Sequence, residues 1–90
     1  MSRYTWDPDK AKANLRKHGV SFEEAEAATE NPLARFFPDV AHPEDERTLV
    51  FGYSPQGRLL LVVTSESGPR PRIISAWRAT KRERREYEAR

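Results

Sequence analysis

Arg70-Pro71-Arg72-Ile73-Ile74-Ser75-Ala76-Trp77-Arg78-Ala79-Thr80-Lys81-Arg82-Glu83-Arg84-Arg85-Glu86-Tyr87-Glu88-Ala89-Arg90 changes period half-way along. After Arg72, residues 73–77 are β-branched, aromatic or small, and the stretch 72–77 suits a pleated ribbon, whereas the charged run after Thr80 suits a helix. Thr80 and Glu83 mark the junction. Their T-x-x-E spacing is that of a capping box, in which the Thr80 hydroxyl accepts from the amide of residue 83 and the Glu83 carboxylate returns to the amide of residue 80. The charge concentrates here as well. Between residues 69 and 90, eight Arg and Lys side chains face three Glu, in a chain whose net charge is only +2, so the body that precedes this end is acidic. A basic end on an acidic body points to a polyanionic partner for one face: nucleic acid, an acidic protein, or both.

Working back from that end, the turn at residues 67–71 separates a last strand (residues 70–77) from the most apolar stretch of the chain, residues 58–66, which contains Leu59-Leu60-Leu61-Val62-Val63. Pro55-Gln56-Gly57 separates that stretch in turn from a strand at 48–54. Three strands joined by tight turns make an antiparallel meander, to which residues 33–37 add a fourth strand through the polar loop at 38–46. Toward the N-terminus, residues 4–6 favour a short strand, and Asp7-Pro8 then opens a helix with Asp7 as its cap and proline where a missing amide is no loss. The helix is expected to run to His18, with Gly19 as the left-handed stop. Ala11, Leu15 and His18 share one face, predicted to pack; Lys10, Asn14 and Lys17 share the neighbouring face and present two ammonium groups and an amide. Ser21 and Glu24 repeat the capping-box spacing, with Val20 and Ala25 placed as a hydrophobic staple, and predict a second helix from Phe22 to about Thr29.

The expected fold is therefore α+β: an antiparallel sheet of about four strands, two N-terminal helices packed on one face, and a C-terminal helix. That last helix has only Tyr87 and Ala89 as apolar residues, so it is expected to fray, to dock through Tyr87 or to meet a partner. Along the last strand, strict alternation puts Arg72, Ile74 and Ala76 on one side and Ile73, Ser75 and Trp77 on the other. Ninety residues are read as one domain spanning residues 1–90, burying only roughly 60–65% of the unfolded surface. With no cysteine there is no disulfide framework, thiolate metal site or cysteine nucleophile, and the chain suits a reducing cytosol. No apolar segment approaches the ~18 residues needed to span a bilayer, and residues 1–6 lack the core of a signal peptide. A soluble, cytoplasmic protein with no membrane partner is expected.

The residue types fit cleavage of RNA without a metal ion, in which the ribose 2′-hydroxyl attacks the adjacent phosphorus and the 5′-oxygen leaves. That chemistry needs a proton acceptor, positive charge where the phosphorane gains negative charge, and a donor to the leaving oxygen. Arginine suits the second task, because its planar fork stays charged and binds two phosphate oxygens. Arg72 and Arg78 are the candidates, with Lys10 assisting; a solvated basic face is the alternative. His18 is the candidate for proton transfer, histidine being the side chain that titrates nearest neutral pH, although a histidine before a helix-stopping glycine also suits the helix dipole. His42 is a weaker second. Lys17 and Asn14 are candidate RNA contacts, and Trp77 either stacks on a base or fills the core. Asp39, His42, Glu44, Asp45 and Glu46 cluster without a recognised ligand spacing, so no metal or other cofactor is expected. No arrangement of helices for a DNA major groove is evident.

The string W-D-P-D-K-A-K-A-N-L-R-K-H-G-V-S-F-E-E-A at residues 6–25 resembles the opening motif of the BrnT family, the toxin halves of bacterial type II toxin–antitoxin pairs. Asp45-Glu46-Arg47 and R-I-I-S-A-W-R-A-T-K-R-E-R-R-E-Y-E at residues 72–88 are similar to its closing motif. The resemblance covers both ends of the chain. It implies a RelE-like fold, a ribonuclease that inhibits translation, and a BrnA-like antitoxin with a ribbon-helix-helix part, through which the pair binds operator DNA and represses its own transcription. Carried over position by position, it touches Lys10, Asn14, Lys17, His18, Phe22, Glu46, Arg47, Arg72, Ser75, Arg78 and Tyr87. Trp77 departs from it, standing where the family more usually has a basic residue. That departure favours the alternative to an enzyme, a binding module retained for antitoxin binding and operator control.

Overall fold

The computed structural model describes residues 3–89; Arg90, counted above with the basic end, lies outside them. The elements follow in the order α1 (Pro8–His18), α2 (Phe22–Thr29), β1 (Arg35–Pro38), a 3-10 turn (Pro43–Asp45), β2 (Arg47–Tyr53), β3 (Leu59–Ser65), β4 (Arg72–Arg78) and α3 (Lys81–Ala89). The four strands form one antiparallel sheet in sequence order, so β1 and β4 are its edges. The expected α+β meander is present.

Both N-terminal helices start and stop for the reasons their sequences state. Asp7 accepts the amide of Asp9 at 2.8 Å, and Gly19, at φ 69°, donates its amide to the Leu15 carbonyl at 2.9 Å. Ser21 accepts the amide of Glu24 at 3.0 Å, while Val20 and Ala25 are both fully buried. Only half of that second capping box forms. The Glu24 carboxylate turns instead to Arg58, which donates from Nε at 2.9 Å and also from Nη2, and so ties α2 to the start of β3. α2 lies so close on β2 that a Cβ on Gly52 would stand 2.1 Å from the Ala28 carbonyl oxygen.

Two apolar clusters sit on the two faces of the sheet. Val20, Phe22, Ala25 and Ala28 of the helical layer meet Val50, Leu60, Val62, Ile73 and Ala76 on one face. On the other, Tyr87 of α3 meets Phe51, Leu59 and Leu61, with Phe37, Leu49, Tyr53 and Trp77 around them. β3 is buried along its whole length because helices lie on both sides. The docking expected of Tyr87 is present: its ring lies 5.7 Å from that of Phe51, and its hydroxyl donates to the Leu33 carbonyl at 3.1 Å.

β4 departs from strict alternation. Its register with β3 shifts between Val63 and Thr64, where Ser75 and Ile73 are the successive partners and Ile74 is extra. The bulge puts Ile73 and Ala76 on the same, helix-covered face, so the expected opposition of these two residues is corrected. The N-terminal strand expected at residues 4–6 is reduced to a single parallel bridge between Thr5 and Arg72. The Thr5 amide donates to Pro71, and the Ile73 amide donates to Thr5, each at 2.9 Å.

Candidate active site

β4 is an edge strand, and α1 lies along its open side. Asn14 makes the joint. Its Oδ1 accepts the Ala76 amide at 3.2 Å, and its Nδ2 donates to the Ala76 carbonyl at 2.8 Å and to the Val20 carbonyl at 3.0 Å. One amide side chain thus satisfies both outward backbone groups of an edge residue, as a neighbouring strand would. Asn14 is the buried residue of α1, whereas Leu15 is 51% exposed. The expected faces are therefore corrected in part: Ala11 packs against the core as expected, but the helix is joined to the sheet through an amide rather than through Leu15, and the amide read as an RNA contact is committed to protein backbone.

The docked helix leaves an open groove. One depression, of about 750 Å³, is lined by Lys17, His18, Ser75, Trp77, Arg78 and Thr80. A smaller one of about 220 Å³ continues it along α1 to Lys10, sharing Lys17, His18 and Ser75. Lys10 and Lys17, seven residues apart, stand about 10 Å from one another along the helix. The His18 and Trp77 ring centroids are 6.0 Å apart. Trp77 is half-buried with its other side in the α3 cluster, and its indole N–H donates to Glu83 Oε1 at 3.2 Å. The same carboxylate oxygen accepts the Thr80 amide at 2.9 Å while Thr80 Oγ1 accepts the Glu83 amide at 3.1 Å, which is the predicted capping box. Five candidates, Lys10, Lys17, His18, Trp77 and Arg78, thus border one continuous groove.

Arg72 does not join them. It begins β4 and Arg78 ends it, so their backbones are separated by about 20 Å, and the reading of the two arginines as one pair at the strand-to-helix corner is corrected. Arg72 Nη2 lies 3.8 Å from Asp45 Oδ1, in a separate cluster at the far end of the sheet. Arg47 Nε donates to Asp45 Oδ2 at 2.8 Å, and the hydroxyls of Ser65 and Ser67 donate to Oδ1 at 3.2 and 3.1 Å. The Arg47 hydrogen bond, opposed by burial and helped by the weaker bonds from Ser67 and Ser65, holds the Asp45 carboxyl below the usual aspartate range. Glu46 is exposed beside it, and His42 pairs with Asp39 at 3.1 Å, away from the groove.

The ion pairs sort the basic residues. Arg47 and Arg72 share Asp45, and Arg58 is held by Glu24, whose carboxyl is lowered chiefly by that hydrogen bond. Lys10, Lys17 and Arg78 have no ion-pair partner among the described residues. A groove walled by three uncompensated cations, an imidazole and an indole is suited to a phosphate-bearing chain with flat bases. Ser75 and Thr80 also line it; Ser75 carried no side-chain argument of its own in the sequence, and Thr80 only a capping one.

A family model for the ribonuclease toxin BrnT of type II toxin–antitoxin systems matches residues 6–83. The chain belongs to the BrnT family. The crystal structure of the Brucella abortus ribonuclease toxin BrnT is similar throughout, with a TM-score of 0.69 and 25% sequence identity over 90% of this chain and 100% of that one. No sequence among curated proteins matches. This BrnT chain accordingly belongs with the ribonuclease toxins of type II toxin–antitoxin systems, a family that implies an RNA target and an antitoxin partner. No helix among its described residues is long and apolar enough to cross a membrane.

Proposed function

We propose that this BrnT chain is an endoribonuclease that cleaves RNA in the groove between α1 and β4 without a metal ion, and so inhibits translation. The observation that carries the reading is the gathering of Lys10, Lys17 and Arg78, none with an acidic partner among the described residues, around His18 and Trp77. The 2′-oxygen forms its bond to phosphorus as the bond to the 5′-oxygen breaks, leaving a 2′,3′-cyclic phosphate and a 5′-hydroxyl. Arg78, with Lys17 and Lys10, stabilises the charge gathered on the phosphorane, and His18 moves the proton between the 2′-oxygen and the leaving oxygen. Trp77 offers its groove side to a base. Arg72 stands too far from Arg78 to share that phosphorane; we assign it to the Asp45 cluster, where it secures the far end of β4. Residues 1–90 act as one RelE-like toxin domain in the cytoplasm. A BrnA-like ribbon-helix-helix antitoxin neutralises it by covering α3 or a sheet edge, and the complex represses its operon at operator DNA.

End-labelled RNA incubated with the purified protein in EDTA tests this directly. The parent is expected to cleave, Arg78→Ala to lose about 10²- to 10³-fold in rate, and Arg72→Ala to lose far less, each with an unchanged circular dichroism spectrum. An equal loss in both variants would remove the distinction between the two arginines. No cleavage by the folded parent, alone or with ribosomes, would favour the second reading, a module for antitoxin binding and operator control. That alternative draws on Trp77, which stands where the family more usually has a basic residue and whose N–H is held by Glu83.

A further inference from the structure

We propose that RNA leaving the groove continues over the outer side of α3, where Lys81 and Arg85 hold its phosphates. The inference rests on the groove being an RNA site and extends that site beyond the reacting bond.

α3 carries most of its charge in an order unfavourable to a helix. Lys81, Arg82, Arg84 and Arg85 outnumber the single Glu83 in its N-terminal half, Glu86 and Glu88 follow, and its last turn has no basic residue. The N-terminal end of a helix is the positive end of its dipole, so these cations weaken the element that bears them. The other helices are ordered the opposite way. α1 opens with Asp9 and closes with Arg16, Lys17 and His18, and α2 opens with Glu23 and Glu24. A locally unfavourable arrangement in one helix of three points to a requirement outside the helix.

Ion pairing divides the four cations. Arg82 approaches Glu86 at 3.8 Å, and Arg84 approaches Glu88 at 4.0 Å and the Tyr53 hydroxyl at 3.4 Å. Lys81 and Arg85 are exposed and have no ion-pair partner among the described residues. They are one helical turn apart, with Cβ atoms about 5–6 Å from each other. At about 100° per residue they fall on the side of α3 turned away from Tyr87, which faces the sheet. Thr80 and Glu83 take each other's amides in the capping box, and the phosphate contacts are assigned to the two side chains rather than to the helix amides. Continuity with the groove favours RNA over an acidic protein surface: Thr80 is part of the groove wall and Lys81 is the next residue.

Fluorescence anisotropy with labelled single-stranded RNA over a series of KCl concentrations tests the path. The parent, Lys81→Ala/Arg85→Ala and, as control, Arg82→Ala are compared on an RNA of about twelve nucleotides and on a trinucleotide. Loss of two phosphate contacts is expected to make the log–log salt dependence shallower by about 1.4, at about 0.7 per contact. The parent-to-variant affinity ratio should be larger for the longer RNA, and the double variant should melt no earlier than the parent, because the removed charges oppose the helix dipole. An unchanged slope in the double variant overturns the path while leaving the groove intact. So does an equal change in Arg82→Ala, or a loss that is the same at both RNA lengths. Failure of the parent itself to bind either RNA at low salt overturns the path and the groove reading together, and binding of the antitoxin but not RNA through Lys81 and Arg85 assigns the face to protein instead.

Discussion

Asn14 commits its side-chain amide to backbone, chiefly to Ala76, 62 residues away, and also to the nearby Val20 carbonyl. Among the described residues, Asn14 is what both outward groups of Ala76 have in place of the strand that an edge lacks, so the residue acts as the joint between helix and sheet. Removing it leaves a buried donor and two carbonyls unpaired. Asn14→Ala is expected to cost about 1–3 kcal/mol, read as a lower urea midpoint with the same slope. Asn14→Asp should also destabilise at neutral pH, because the carboxylate can accept from the Ala76 amide but cannot donate to the carbonyls of Ala76 and Val20. A midpoint unchanged in both variants would mean that the joint contributes nothing. The sequence placed Asn14 correctly on a face with Lys10 and Lys17 but could not distinguish an amide that meets RNA from one that meets a strand edge. That difference depends on a partner remote in the chain, and periodicity carries no information about it.

At the scale of elements, what was legible is what is local. Pro8–His18 and Phe22–Thr29 have the bounds that their caps state, and the period change around Thr80 separates β4 from α3. The bulge at Ile74 was not legible, since an extra residue leaves the composition of a strand unchanged and reverses only the faces that follow. The site suffered the same limit. Lys17, His18 and Arg78 were singled out by residue type, but the separation of Arg72 from Arg78 required the direction of β4 relative to α1. Close packing between elements was equally silent in the sequence. Gly52 reads as an ordinary strand residue, yet α2 lies where its side chain would be. Gly52→Ala must push α2 from the sheet or bend β2, and is expected to cost at least about 1–3 kcal/mol. Thermal melting of that variant beside Gly57→Ala, whose added carbon meets nothing within 4 Å but whose φ of 81° favours glycine, separates a loss from crowding from a loss from backbone strain: retained packing of α2, seen as unchanged amide exchange in residues 22–29, would exclude crowding at Gly52.

Across the molecule, the acidic side chains neutralise cations where the fold needs them fixed and leave the groove bare. Asp45 gathers Arg47 and Arg72 at one end of the sheet, and Glu24 clasps Arg58 at the other, where Arg58 also donates to the Gly19 carbonyl at 3.0 Å. The Glu24 clasp joins three parts that no single element unites: the α1 stop, the start of α2 and the turn into β3. Its carboxyl is lowered first by the Arg58 hydrogen bond, with burial opposing, and the Arg58 guanidinium is raised by the same contact. A folded-state pKa below the unfolded one means that the unfolded chain binds the proton more readily, so the clasp stabilises fully above the ordinary glutamate range. That contribution is lost as pH falls below about 4.5 and on through the lowered folded value. Urea midpoints measured from pH 7 to pH 3 should therefore be nearly level at first and then fall. Glu24→Gln should begin lower at pH 7 and fall less steeply, with the two curves converging in acid; Asp45 keeps the variant's curve from becoming flat. Parallel curves for parent and variant would show that protonation of Glu24 is not what loosens the fold, and would return the acid sensitivity to Asp45 and the remaining carboxylates.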